Sequence, residues 1–209
     1  MVHFSHRAVT FAAGALLLSL AACSREAEAP ADDLATANDM ADNGGVADNG
    51  MMAGNSMAGA AQTFSFAGGD GKALGSVSVS EGAGGLTMNV SAAGMPAGTH
   101  GIHLHEKGLC DGPKFESAGA HWNPGKAKHG RDNPAGVHLG DLANLEINAD
   151  GQASASFTVA GAMMASGANM IADADGTALL VHAKADDYKT DPAGDSGDRI
   201  ACTVLAPPK

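Results

Sequence analysis

The chain reads as an all-β protein, an antiparallel sandwich or flattened barrel of eight strands with two long functional loops. Three observations predict it. Eight short runs are β-branched or alternate apolar with polar residues, glycine-rich turns separate them, and no segment of useful length carries a helical period. The composition agrees, with 29 Gly against one Trp, one Tyr and six Phe in 209 residues, which suits a turn-rich sheet around a core of small and branched side chains.

In chain order the runs are TFSFAG (63–68), GSVSVS (75–80), LTMNVS (86–91), HGIHLH (100–105), LANLEINA (142–149), ASASFTVA (153–160), TALLVHA (177–183) and RIACTVL (199–205). The turns AGGDG, EGAGG and NADGQ fall between them. Alternation is clearest in Leu86/Met88/Val90 and in Ala153/Ala155/Phe157/Val159, the pattern of strands buried on one face. The first long connection covers about 106–141 and the second about 183–198. Long loops in a compact β domain are usually functional.

Two segments precede this domain. Residues 1–22 carry a weakly basic head with Arg7 and an apolar run to about Leu20, too short to span a bilayer comfortably, and read as an export signal. Leu20-Ala21-Ala22-Cys23 resembles the lipobox of bacterial lipoproteins, in which the cysteine is lipidated and becomes the first mature residue. An ordinary signal peptide with an incidental cysteine is the alternative. Ser24 resembles the residues that send such proteins on to the outer membrane, so a periplasmic protein tethered there through Cys23 is expected. Residues 23–62 are rich in Ala, Asn, Asp and Gly, carry seven acidic groups against Arg25, and are expected to form a flexible tether. Its methionines Met40, Met51, Met52 and Met57 carry thioether sulfur suited to Cu(I), though low-complexity drift is the better account of them. The domain is then 63–209.

The formal charge of −11 leaves no basic stripe to neutralise phosphates and excludes nucleic acid as a partner. Seven of the nine histidines fall between 100 and 182. In GIHLH, His103 and His105 sit two apart in an apolar run, so an extended strand sends both rings out of one face roughly 7 Å apart. With His121, His129, His138, Asp141 and His182 they give six imidazoles and one carboxylate, a donor set for Cu(II) or Zn(II) and not for Mg or Ca. One histidine shared between two groups of four would hold two adjacent metals bridged by an imidazolate.

Five motifs, HGIHLHEKGLC (100–110), SAGAHWNPGKAKHG (117–130), HLGDL (138–142), LLVHAKADDY (179–188) and GDRIACTVL (197–205), make 63–209 resemble the copper/zinc superoxide dismutase family of the bacterial periplasmic type. The family's β-sandwich and diffusion-limited turnover are general knowledge of the family. The resemblance implies a Greek-key fold and dismutation of superoxide to dioxygen and hydrogen peroxide, with one copper carrying the electrons and one structural zinc per subunit. It implies copper ligands His103, His105, His121 and His182, and zinc ligands His121, His129, His138 and Asp141. It also implies an anion-guiding Arg199, a structural His100, an Asp186 carboxylate joining the two metal sites, and a Cys110–Cys202 disulfide. His121, as the bridge, and Arg199 are the implied catalytic residues. With Cys23 lipidated, that pairing leaves no odd thiol in an exported chain. The expected partners are the superoxide anion and a lipid anchor, in a monomer or homodimer. Residues 63–209 carry 16 acidic against 10 basic groups, so Arg199 and a nearby Lys184 or Lys189 must supply the attraction for an anion locally. A non-catalytic copper-binding or copper-carrier module of the same fold is the rival reading.

Overall fold

A computed structural model describes residues 60–209. The leader, Cys23 and the tether methionines lie outside the described residues. Among those described are nine strands: β1 (Gln62–Gly68), β2 (Ala73–Gly82), β3 (Gly85–Ala93), β4 (Gly98–His100), β5 (Ile102–His105), β6 (Leu145–Ile147), β7 (Gln152–Ala160), β8 (Thr177–His182) and β9 (Arg199–Ala206). Seven form one antiparallel sheet in the order β5-β8-β9-β1-β2-β3-β7, and β4 pairs with β6. β4 runs on into β5 at one edge and β6 runs on into β7 at the other, so the small pair links the margins of the large sheet. That is a flattened barrel.

All eight expected runs are strands, and the ninth arises because HGIHLH divides at Gly101. There the Gly101 N–H donates to the Lys184 carbonyl (2.7 Å) and its own carbonyl accepts from the His182 N–H (2.8 Å). A Cβ at this position would stand 2.9 Å from Ser196 Cβ and 3.1 Å from His103 Cε1, so a larger residue would push the second long loop off the sheet. The sequence pattern alone cannot show this break, because the apolar alternation continues through it.

The alternation sorts side chains as anticipated. Leu86, Met88 and Val90 are buried and lie opposite Val159, Phe157 and Ala155 on β7. The core gathers Phe66, Val77, Val79, Ile102, Leu104, Trp122, Leu179 and Val181. β8 is buried at all six positions. Leu179 and Val181 face that core, while Ala178 and Leu180 pack with Phe115, Ala118 and Cys202 in a second, smaller cluster. The start of the first long loop therefore covers the outside of β8 and β9. The Cys110–Cys202 disulfide fastens it there, with Cα atoms 5.8 Å apart.

The same loop continues along the free edge of β5. His121 comes opposite His105 and Asp141 opposite His103 in isolated bridges, supported by Trp122 N–H to the Leu104 carbonyl (2.8 Å) and Leu104 N–H to the Gly140 carbonyl (2.9 Å). β1 lies between β9 and β2, with Ala67 and Gly68 beside Cys202 and Ala201.

Candidate metal centre

β5 presents Ile102 and Leu104 to the core and sends His103 and His105 out of the opposite face, fully buried beneath the first loop. β8 ends on His182 and the loop supplies His121. The nearest ring nitrogens of His103, His105, His121 and His182 all lie within 4.8 Å of one another. A second group, His121, His129, His138 and Asp141, meets the same condition, and His121 belongs to both. Its ring lies 4.0 Å from His103 and 5.2 Å from His129, centroid to centroid. All seven residues singled out in the sequence converge.

The buried ring nitrogens show whether this set suits a metal. His103 Nδ1, His105 Nε2, His121 Nε2 and His182 Nε2 are buried without a hydrogen-bond partner, and they belong to the first group. Burying four unpaired acceptors is costly unless something electrophilic joins them. In the second group His121 Nδ1, His129 Nδ1 and His138 Nδ1 stand 2.9, 3.1 and 3.1 Å from a single oxygen, Asp141 Oδ1. Neutral rings cannot all donate to one oxygen, so this arrangement too asks for a cation. An all-imidazole set and a three-imidazole, one-carboxylate set fit copper and zinc respectively.

The opposite nitrogens are anchored, which fixes the orientation of the rings. His105 Nδ1 donates to the Gly119 carbonyl (3.0 Å) and His182 Nδ1 to the Gly197 carbonyl (3.2 Å). His103 Nε2 donates to Asp186 Oδ2 (2.8 Å) and His129 Nε2 to Asp186 Oδ1 (3.0 Å), so one carboxylate spans both groups as expected. His100 has each ring nitrogen against a carbonyl, His182 O at 2.7 Å and Pro96 O at 3.0 Å, and has no free nitrogen to offer.

Electrostatics divides the site. Burial holds His103 below its ordinary value and His105 well below it, and pushes His121 down to about 4 and His182 to about 3. These rings stay neutral, with a lone pair at each free nitrogen. For His129 burial also lowers the value, but hydrogen bonds to Asp141 and Asp186 overcome it and raise the ring to about 9. Burial would raise Asp141 and Asp186, yet hydrogen bonds from His121 and His129 to Asp141, and from His103 and His129 to Asp186, hold both carboxyls far below the usual carboxylate range. In the metal-free second group the Asp141 carboxylate is paired with a protonated His129, and a divalent ion would take the place of that proton.

Arg199 stands opposite His182 in the β8–β9 register. Its Nη1 donates to the Phe115 carbonyl and its Nη2 to the Gly119 carbonyl, both at 2.5 Å. Gly119 O therefore accepts hydrogen bonds from both His105 and Arg199, which places the guanidinium one carbonyl away from the first group. Burial lowers the Arg199 value, and a group with so high an ordinary value remains charged. A cavity of about 510 Å³ opens beside it, lined also by Lys114, Glu116 and Asp198. Of the lysines expected at the mouth, Lys184 packs against Gly197 on the cavity wall, whereas Lys189 is not among the lining residues. Lys114, not singled out beforehand, is.

Sequence reasoning also missed Gly119, Phe115 and Gly197, which act through backbone carbonyls and leave no side-chain signal, and Asn144, whose side chain donates to Asp186 O (3.0 Å) and accepts from Asp186 N–H (2.9 Å).

Residues 73–205 match the family model described as copper/zinc superoxide dismutase. The chain is similar to the superoxide dismutase-like protein YojM of Bacillus subtilis (strain 168), 42% identical over 139 residues, 65% of this chain and 71% of that one. It is likewise similar to the Cu-Zn superoxide dismutase of Caulobacter vibrioides, 41% identical over 140 residues, 66% and 80% of the two chains. Among solved structures, a SOD-like protein from Bacillus subtilis aligns with a TM-score of 0.67 at 39% identity, covering 70% of this chain and 99% of that chain. Cu/Zn superoxide dismutase from Brucella abortus aligns with a TM-score of 0.55 at 31% identity, covering 69% and 99%.

Proposed function

Since the chain belongs to the copper/zinc superoxide dismutase family, whose cofactors are copper and zinc, we propose that it is a working dismutase, converting two superoxide anions and two protons into dioxygen and hydrogen peroxide. His103, His105, His121 and His182 would hold copper, and His121, His129, His138 and Asp141 would hold zinc. The observation that carries the reading is the convergence of four buried, unpaired ring nitrogens on one point beside a charged arginine.

Copper supplies the one-electron couple that no side chain here offers, while zinc, which has no redox chemistry, supplies fixed charge. Arg199, locked by two carbonyls, presents its remaining N–H groups to an anion in the adjoining cavity. Lys114 adds positive charge at the same opening and Glu116 and Asp198 oppose it, so attraction is local and weakens with salt. His121 Nε2, buried and without a hydrogen-bond partner, would be one of the copper-holding nitrogens, and burial disfavours its charged form. Asp186 keeps His103 and His129 in the tautomer that leaves their Nδ1 atoms bare. No nucleophilic side chain is needed.

The rest of the reading concerns place. Signal 1–22, lipidated Cys23, tether 23–62 and domain 63–209 would give a periplasmic enzyme held at the outer membrane, monomeric or dimeric. The mass of the mature N-terminus tests the anchor. Metal analysis with a superoxide-decay assay, with and without chelator, tests the activity. One copper and one zinc per chain with fast, chelator-sensitive turnover is expected. Copper bound without turnover would make this a copper-carrying module instead, the reading that the superoxide dismutase-like name of the Bacillus relative keeps in view.

A further inference from the structure

Tyr188 lies outside both ligand groups, yet it ties three chain segments together. Its N–H donates to Asp186 Oδ1 (2.6 Å), the oxygen that also receives His129 Nε2. Its hydroxyl accepts from the Asn144 N–H (2.7 Å), three residues beyond Asp141. Its carbonyl accepts from the Asp132 N–H (2.9 Å), and its ring lies under the Arg131 guanidinium, 3.7 Å from centroid to carbon. A Cβ on Gly130 would collide with the Tyr188 carbonyl, so the residue after His129 is pressed against it. Tyr188 holds all of this with φ of 60°, a left-handed conformation that a tyrosine rarely adopts and that persists only where the surroundings enforce it.

We propose that Tyr188 is a positioning residue that latches the second long loop onto the His129–Asp141 segment and so governs how long zinc is retained. The inference rests on the ligand assignment above. The latch acts on one side of the centre. Its N–H meets the Asp186 oxygen that faces His129, and its hydroxyl, carbonyl and ring all hold the 130–144 stretch that carries His138 and Asp141. The Asp186 oxygen that meets His103, Oδ2, receives no hydrogen bond from Tyr188. Asn144, clamped to the Asp186 backbone on one side and to the Tyr188 hydroxyl on the other, closes the loop of contacts.

The test follows zinc leaving the fully loaded protein into excess chelator, with copper release followed in parallel and urea midpoints as a folding control. Tyr188→Ala should speed zinc release about 10–100-fold, the range typical of residues that orient metal ligands. Tyr188→Phe, which loses only the hydroxyl, and Arg131→Gln, an exposed substitution that removes the stacked cation, should each speed it a few-fold. Copper release should stay within about two-fold in all three. Cobalt placed in the zinc site should show an altered visible spectrum in Tyr188→Ala. Zinc release at the wild-type rate in Tyr188→Ala, or an equal acceleration of both metals, overturns the latch. A wild-type chain that takes up copper but no zinc overturns the ligand assignment and the latch together.

Discussion

Gly194→Ala should damage the centre more than its small size suggests. Gly194 has φ of 65°, and a Cβ there would overlap Asp186 Oδ1 while standing 2.7 Å from His129 Nε2. The carboxylate must turn away, which breaks the bonds that Oδ1 receives from His129 and from the Tyr188 N–H. Hydrogen bonds to a charged group contribute about 1.5–3 kcal/mol each, and a left-handed backbone costs a non-glycine residue about 1–2 kcal/mol. The low ends add to about 4 kcal/mol, or a fall in the melting temperature of roughly 8–16 °C for a domain of this size. Gly71→Ala separates the two contributions, because Gly71 has φ of 80° and nothing within 4 Å of an added Cβ. It should lose only the backbone share. The assay is thermal unfolding of the metal-free variants, followed by zinc content after reloading. If Gly194→Ala melts with Gly71→Ala and binds zinc normally, the collision argument is wrong.

Other perturbations reach other parts of the structure. Arg199→Ala should lower the superoxide-decay rate several-fold at low salt with both metals retained, since Arg199 touches carbonyls and no ring nitrogen; stopped-flow rates against ionic strength check this. Replacing Cys110 and Cys202 together by serine opens a link between residues 92 apart and should cost roughly 4–5 kcal/mol in the chain-entropy picture, read from urea unfolding. In the metal-free protein His121 and His182 titrate at about 4 and about 3 against an ordinary 6.5. The unfolded chain therefore binds protons first, and stability should fall below pH 6.5 by about 1.4 kcal/mol per pH unit for each such ring. His129, raised to about 9, acts oppositely, its contribution being present below 6.5 and lost as the pH rises through 9. Denaturation midpoints across pH 4.5–9.5 that show no decline on the acid side would refute the buried, neutral rings.

The ligand set was legible because its chemistry resides in side chains of a distinctive type. Imidazoles in strand-like runs and in one long loop advertise themselves, and the spacing of His103 and His105 on one face needs only the two-residue period of a strand. The strand runs were equally plain, since Leu86, Met88 and Val90 alternate with polar neighbours. What stayed hidden depends on backbone and on distance. The Gly119 and Phe115 carbonyls that orient Arg199 belong to residues with nothing to display. The split of HGIHLH at Gly101 depends on how closely Ser196 approaches from 95 positions away. Tyr188 closes the motif LLVHAKADDY yet gave no sign of its role, because apart from Asp186 its partners lie 44 and more positions back along the chain.

The place of β1 in the sheet has a mechanical meaning. Its final residues pair with Ala201 and Cys202, close to the start of β9 at Arg199, so Gln62 joins the domain six residues back, roughly 20 Å toward the opposite pole. β1 is also an interior strand, paired with β2 along its length and with β9 at Ala67 and Gly68. A pull on the backbone ahead of Gln62 would thus load the β1–β2 ladder first and reach the two β9 pairs last. The force would enter about six residues away from the β9 pairs that adjoin Arg199.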